Sequence, residues 1–359
     1  MIMATLGRTK IEAFRLGLGG IHLMNASWEE ARDVINACRE GGVNFADTAE
    51  SYGDTEEKLS MALEHDRSNF FIATKSMQLA AKGMEKAVNQ SLSRLKTDYI
   101  DIYQIHMLRS AEDLDRIMSP GGALEALDKA RGAGKIRFIG VTGHEPKVLA
   151  EAVKTGLFDT VMAPVNVIDR EVEEDLLPLA KELDIGILSM KPLCGGSLDN
   201  ADLGIRFALN SLADVVLCGM KNLDEVTANL ESVRSFKPLS GAEEENLLAA
   251  ASQMGNQFCR QCGYCQPCPQ GINIPRILWL ANVHRRYDEE WPEKEYGLLG
   301  ESADFCEKCG ECEDICPYGL PTREMLEAAH AELTPSTKYL AKRKIRRFLS
   351  KTRIRKRRY

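Results

Sequence analysis

From about residue 12 to residue 235, short runs dominated by apolar residues alternate with longer segments in which apolar positions recur every three or four residues. The short runs are FRLGLG, VNFAD, FFIATK, IDIYQIH, IRFIGVT, TVMAPVN, GILSMKP and DVVLCGM. Runs of this length, flanked by polar segments, read as buried strands. Intervening segments such as SWEEARDVINACREGG and MEKAVNQSLSRLK show a single apolar face at helical period. Eight strand-then-helix units predict an α/β chain whose parallel sheet closes into a (β/α)8 TIM barrel. A doubly wound sheet announces a nucleotide with a glycine-rich first turn, and RLGLGGIHL does not place G-x-G-x-x-G correctly.

After Ser235 the pattern changes. SGAEEENLLAAASQMG reads as one helix, and a cysteine-rich segment follows it. This predicts a barrel over 1–238, a smaller and mainly helical domain over 239–335, and a basic tail over 336–359. The second domain repeats itself. Cys259, Cys262 and Cys265 recur as Cys306, Cys309 and Cys312, each 47 residues later, and Cys268 recurs as Cys316 at 48. CPQGINIPRIL is echoed by CPYGLPTREML, so the unit that is duplicated is larger than a set of cysteines.

Composition narrows the function classes. With 359 residues and 44% hydrophobic content the chain can bury a large core and add a smaller one. Residues 338–359 hold 12 of the 46 Lys and Arg and no acid, leaving 34 basic against 53 acidic residues elsewhere, a formal −19. An acidic body argues against nucleic acid as a partner. The tail suits an anionic surface such as RNA, an acidic protein or a membrane, or is simply a solvated charged segment. No apolar run approaches the roughly 18 residues of a membrane span, and the start MIMATLGRTK lacks a signal-peptide core, so cytoplasm is the expected compartment. Eight of the 11 cysteines lie between Cys259 and Cys316 at gaps of two or three residues, which suits metal ligation better than disulfides. Cys38, Cys194 and Cys218 sit in apolar stretches and read as core.

Active sites of such barrels lie at the C-terminal ends of the strands. Four polar residues fall there: Asp47 and Tyr52 in VNFADTAESYG, Lys75 ending FFIATK, and His106 ending DIYQIH. With VNFADTAESYGDTEEKL and KIRFIGVTGHE, they give roughly the first 235 residues a resemblance to the aldo-keto reductases. By that resemblance Tyr52 is the general acid for a carbonyl oxygen, Lys75 lowers its pKa, Asp47 holds Lys75, and His106 orients the carbonyl. The chemistry is sound, because a phenol near pKa 10 donates and accepts protons sluggishly at neutral pH and an adjacent ammonium stabilises its phenolate. The resemblance implies nicotinamide contacts where the usual Ser-Asn pair is replaced by Thr142 and Gly143, and where Met190 stands in place of a stacking aromatic residue. In GMKNLDEVTANL it implies adenosine-phosphate contacts from Lys221, Glu225 and Asn229. Glu225 takes the place of an arginine found in NADPH-preferring relatives, and a carboxylate repels a 2′-phosphate, so NADH is slightly favoured over NADPH.

The run Cys306-x2-Cys309-x2-Cys312-x3-Cys316-Pro has bacterial ferredoxin spacing, in which three thiolates hold one 4Fe-4S cluster and the fourth serves the other. Zinc sites instead pair two C-x2-C units. The first run, Cys259, Cys262, Cys265 and Cys268, is one residue shorter before its last cysteine, so two clusters are expected and a single one stays open. If the halves exchange fourth ligands, Cys316 joins the first run and Cys268 the second. The spacer IPRILWLANVHRRYDEEW gives this domain a resemblance to α-helical ferredoxin domains of redox complexes.

The expectation is a nicotinamide-dependent oxidoreductase acting on a small carbonyl or alcohol, with clusters that exchange single electrons with a redox protein. Hydride transfer moves two electrons, a cluster takes one, and no flavin-binding signature is present to split the pair. Two other readings stand beside it: a plain carbonyl reductase with structural or sensing clusters, and a non-enzymatic redox sensor.

Overall fold

The computed structural model describes residues 2–254, 258–286 and 290–334; the basic tail lies outside the described residues. The chain divides into two compact units, residues 1–253 and 254–359. Among the described residues no helix is long and apolar enough to cross a membrane.

The first unit is a closed barrel of eight parallel strands in sequential order. They are β1 (Leu16–Gly19), β2 (Phe45–Asp47), β3 (Phe71–Ser76), β4 (Ile100–Leu108), β5 (Ile136–Gly143), β6 (Thr160–Pro164), β7 (Gly186–Met190) and β8 (Val215–Cys218). Each coincides with one of the eight runs read from the sequence, with β3, β4 and β5 continuing one or two residues past the end of theirs. The helices around them are α1 (Trp28–Glu40), α2 (Thr55–Ala62), α3 (Ala81–Leu95), α4 (Ala111–Met118), α5 (Ala123–Gly132), α6 (Pro146–Lys154), α7 (Leu176–Glu182), α8 (Ala201–Asn210) and α9 (Leu223–Arg234). Ser27 opens α1 with a capping box to Glu30, and Asn222 caps α9.

Two apolar layers hold the barrel. The outer one, between strands and helices, contains Leu18, Ala46, Ile72, Tyr103, Ile105, Val161 and Val216 with helix residues such as Val34 and Val88. The inner one fills the barrel with Phe45, Ala73, Ile102, Met162, Leu188 and Val215. An N-terminal antiparallel hairpin, Met3–Thr5 with Glu12–Phe14, adds Leu6, Ile11 and Ala13 to this inner layer. That hairpin was not among the predicted strands.

The helix expected after Ser235 forms as α10 (Gly241–Met254) and counts with the first unit, tied there by Arg206 on α8, which makes two hydrogen bonds to Glu243. The sequence reading places this helix beyond a boundary at 238; the compact units divide after Gln253.

The second unit is mainly helical: α11 (Ile274–Arg286), α12 (Glu290–Tyr296), the short α13 (Glu311–Asp314) and α14 (Thr322–Leu333). Its core joins Ile272, Ile277, Leu280, Tyr296, Leu326, Ala329 and Leu333, and five clustered cysteines pack against that core from its edge.

Candidate functional site

Side chains on a strand alternate between its two faces, so every second residue of a barrel strand points inward. Phe45, Ala73 and Ile102 belong to the inner layer. Two residues further along the same strands stand Asp47, Lys75 and Gln104, and His106 follows two after Gln104. The parity that fills the barrel with apolar groups thus carries charged and polar ones to its C-terminal end. Lys75 Nζ donates to Asp47 Oδ2 at 2.5 Å and to the Thr48 carbonyl at 2.8 Å. Gln104 Nε2 donates to Asp47 Oδ1 at 3.1 Å. Tyr52, in the turn between β2 and α2, lies with its ring centroid 4.9 Å from Lys75 Nζ, and its ring meets that of His106 edge-on at 6.0 Å. The structure therefore brings Asp47, Tyr52, Lys75 and His106 together.

Burial governs the proton affinities of this group. It raises the Tyr52 phenol, against the opposing charge and hydrogen bond of Lys75. It raises the Asp47 carboxyl too, again with Lys75 opposing. Burial alone favours neutral Lys75, but Asp47 and Tyr52 outweigh it and the ammonium is held above its usual value. Burial, with Lys75, Lys191 and Arg109 adding, keeps the His106 imidazole well below the usual histidine range, so it is neutral at pH 7. The buried Nδ1 of His106 has no hydrogen-bond partner among the described residues. An orphaned imidazole nitrogen beside a phenol and an ammonium fits a site made to receive a polar ligand group.

Directly after His106 the β4–β5 pairing slips, and Met107 adopts a left-handed φ of 60° while its N–H donates to Thr142 Oγ1 at 3.1 Å. Bulges of this kind re-aim side chains beside active sites. Thr142 is thereby engaged by the backbone of β4. Gly143 is required by packing: a β-carbon there sits 2.8 Å from the Leu108 carbonyl, closer than real side chains come. Met190 is half-buried and packs on the inner apolar layer.

The remaining predicted contacts lie at the end of β8 and on α9. Glu225 accepts from the Lys221 N–H at 2.8 Å, while its own N–H donates to the Asn222 cap. Its carboxylate is thus spent on the α9 N-terminus, where negative charge is favoured. Asn229 is buried, with Nδ2 donating to Cys218 Sγ at 3.4 Å, an internal tie between α9 and β8.

Sequence reasoning passed over Gln104 and Asn166. Gln104 has a signal in hindsight, being a polar residue on the inward parity of an otherwise apolar run. Asn166 is buried after β6 and holds its loop, donating to Asp169 and the Lys191 carbonyl and accepting from the Ile168 and Asp169 N–H groups. No sequence pattern announces those partners.

In the second unit the repeat is written into the backbone. Gln261 and Gly263 have left-handed φ values of 54° and 80°, and Lys308 and Gly310, each 47 residues later, have 59° and 90°. Gly271 and Gly319, three residues after Cys268 and Cys316, repeat the conformation at 72° and 56°. Such turns aim successive N–H groups at one point, the habit of loops that wrap anionic centres. One is already directed at sulfur: the Gln261 N–H donates to Cys259 Sγ at 3.4 Å. Of the eight clustered cysteines only Cys309 is exposed. Burial pushes the Cys265 thiol up to about 12, with neighbouring Cys259, Cys262 and Cys312 adding to it. A thiol raised this far stays protonated at neutral pH, so ligating a metal through Cys265 would release a proton. The number and spacing of the cysteines, with the paired turns, fit iron–sulfur clusters.

The comparisons agree with both halves. The aldo/keto reductase family matches residues 15–204, and the 4Fe-4S dicluster domain matches residues 258–321. The oxidoreductase YqkF of Bacillus subtilis is 31% identical over 212 residues, 55% of this chain and 67% of that protein. L-Galactose dehydrogenase of Arabidopsis thaliana is 27% identical over 296 residues, 68% of this chain and 92% of the relative. The NADH-specific methylglyoxal reductase of Escherichia coli is 28% identical over 224 residues, 54% of this chain and 68% of the relative. In fold, an aldo-keto reductase from Bacillus halodurans superposes with a TM-score of 0.59 at 24% identity, over 70% of this chain and 96% of its own. The chain belongs to the aldo/keto reductase family and is an oxidoreductase whose barrel is followed by a 4Fe-4S dicluster domain.

Proposed function

We propose that the barrel interconverts a small carbonyl compound and its alcohol with a nicotinamide cofactor, and that the eight clustered cysteines hold two 4Fe-4S clusters exchanging single electrons with a redox protein. The observation that carries the barrel half is the buried Asp47–Lys75 pair set beneath the Tyr52 ring, with neutral His106 beside it. Bound nicotinamide supplies or accepts hydride at the substrate carbon, and bound clusters supply or accept one electron at a time. In the reducing direction the Tyr52 O–H gives its proton to the carbonyl oxygen, and the Lys75 ammonium stabilises the phenolate left behind. Asp47 and Gln104 keep Lys75 charged and in place. His106, neutral, hydrogen-bonds the carbonyl oxygen and sets its angle to Tyr52.

Thr142, Gly143 and Met190 border the nicotinamide in this reading, and Lys221, Glu225 and Asn229 the adenosine end. NADH is preferred in this reading, because Glu225 stands where NADPH-preferring relatives carry an arginine and a carboxylate repels a 2′-phosphate; the similar E. coli methylglyoxal reductase is NADH-specific. Cys259, Cys262 and Cys265 hold one cluster and Cys306, Cys309 and Cys312 the other, with Cys268 and Cys316 as fourth ligands.

The test is Tyr52→Phe, assayed anaerobically with small carbonyls while nucleotide binding is followed by fluorescence. Turnover is lost and binding survives; unchanged turnover overturns the assignment. Iron and sulfide analysis of anaerobically prepared protein tests the second half, and zinc without visible absorbance overturns it.

A further inference from the structure

The two cysteine runs share a backbone but differ in charge. From Phe258 to Cys268 one side chain, Arg260, is charged at neutral pH; from Asp304 to Cys316 the charged side chains are five acids and Lys308. Arg260 lies between the first two ligands of its run and is only 6% exposed. Its guanidinium lies over two rings, 4.9 Å from the Phe258 centroid and 4.2 Å from that of Tyr318. Tyr318 comes two residues after Cys316, so this pair of contacts joins the first run to the end of the second and fixes a cation where the halves meet.

Resting on the reading that both runs hold 4Fe-4S clusters, we propose that Arg260 makes them unequal, raising the potential of the cluster bound by Cys259, Cys262 and Cys265 so that it is the first to be reduced. Reduction adds one electron, taken from a one-electron donor such as a reduced viologen, and makes or breaks no bond. It adds one negative charge to the cluster, and a fixed cation nearby favours that state in proportion to how little water screens it. At the second run the effects oppose one another: the carboxylates disfavour the reduced state, while Arg323, paired with Glu313 at 2.6 Å and close enough to Cys312 to interact with it, and water at the exposed Cys309 favour it. None of these involves Arg260, so one substitution isolates its share.

The experiment is an anaerobic redox titration of the full, cluster-loaded protein with viologen mediators, read by electron paramagnetic resonance. Wild type shows two separate one-electron steps. In Arg260→Gln the higher step moves down by a tenfold or larger change in its reduction equilibrium, about 59 mV for one electron, while the lower step stays. Arg260→Lys keeps the charge and stays near wild type. Should Arg260→Gln fail to load, Tyr318→Leu frees the guanidinium from its ring contact and lowers the same step. Fully loaded Arg260→Gln with both steps unmoved, movement of the lower step instead, or an Arg260→Lys that falls as far as Arg260→Gln overturns the proposal. Wild type without clusters refutes the underlying reading, and iron and sulfide content tells the two failures apart.

Discussion

Asp47→Asn is the substitution whose consequences follow most directly from the site. The side chains of Lys75 and Asp47 are 3% and 8% exposed, so the ammonium and carboxylate meet with little water. Burial disfavours charged Lys75, and the pair stays ionised because Asp47 and Tyr52 outweigh that penalty. Asparagine keeps the size and the bond from Gln104 but removes the countercharge, leaving Lys75 with the Thr48 carbonyl at 2.8 Å. Removing one partner of a buried pair costs about 3–5 kcal/mol. The folded variant then holds lysine below its unfolded pKa, so it binds fewer protons than the unfolded chain at neutral pH. Its deficit is largest at low pH and shrinks as pH rises toward the ordinary lysine value near 10.4. Adding Lys75→Met removes the stranded charge and restores much of the loss, because an apolar replacement of a buried pair is close to neutral. Neither variant restores catalysis, since Tyr52 has lost its ammonium; carbonyl turnover falls by about 10²–10⁴. Denaturant unfolding at pH 7 and pH 9, with anaerobic turnover on the same preparations, provides the readings. An Asp47→Asn protein within about 1 kcal/mol of wild type at pH 7, and no less stable than the double variant, contradicts the buried-charge argument.

Loaded protein carries roughly eight iron and eight sulfide per chain, measured chemically; roughly four of each means a single cluster. Cys309→Ala spares NADH-dependent carbonyl reduction and stops electron exchange with a viologen, because every tetrad residue precedes Gly143 and the barrel unit assembles its own site; joint loss of both activities places the clusters on the catalytic path. Alcohol oxidation, which needs Tyr52 to accept a proton, keeps rising with pH through about 10, since burial raises the phenol above its usual value; a plateau near neutrality shows that another group is the base. Burial, with Lys221 nearby, lowers His22 from 6.5 to about 4, so the folded chain binds fewer protons than the unfolded one between those values and loses up to about 3 kcal/mol as pH falls through them. His22→Asn removes that part of the acid sensitivity, and equal pH profiles for the two proteins in thermal unfolding exclude it.

The eight strands were legible because burial on both faces writes a local pattern, a short apolar run between polar segments, and none of this depends on which strand neighbours which. The cysteine repeat was legible for a similar reason. Ligand spacing and the 47-residue offset are properties of the chain, and the paired left-handed turns at Gln261 and Lys308 follow them. Even the inward parity of Asp47, Lys75 and His106 is a counting argument along single strands. Closure of the barrel decided the rest, because it sets partners far apart in sequence against each other. Gln104 meets Asp47 across 57 residues, the N-terminal hairpin adds Leu6 and Ile11 to the inner layer, and Gly143 owes its missing side chain to the carbonyl of Leu108 on the next strand. Glu225 bonds the Lys221 backbone and Asn229 the Cys218 thiol, commitments that a residue type at an aligned position does not disclose. Arg260 is the clearest case. In sequence it is a lone base between two cysteines; folded, it lies over a ring from each half of the duplicated unit. Periodicity and spacing act over a few residues and survive in the bare sequence, whereas burial, proton affinity and electrostatic environment exist only once distant segments have excluded water together.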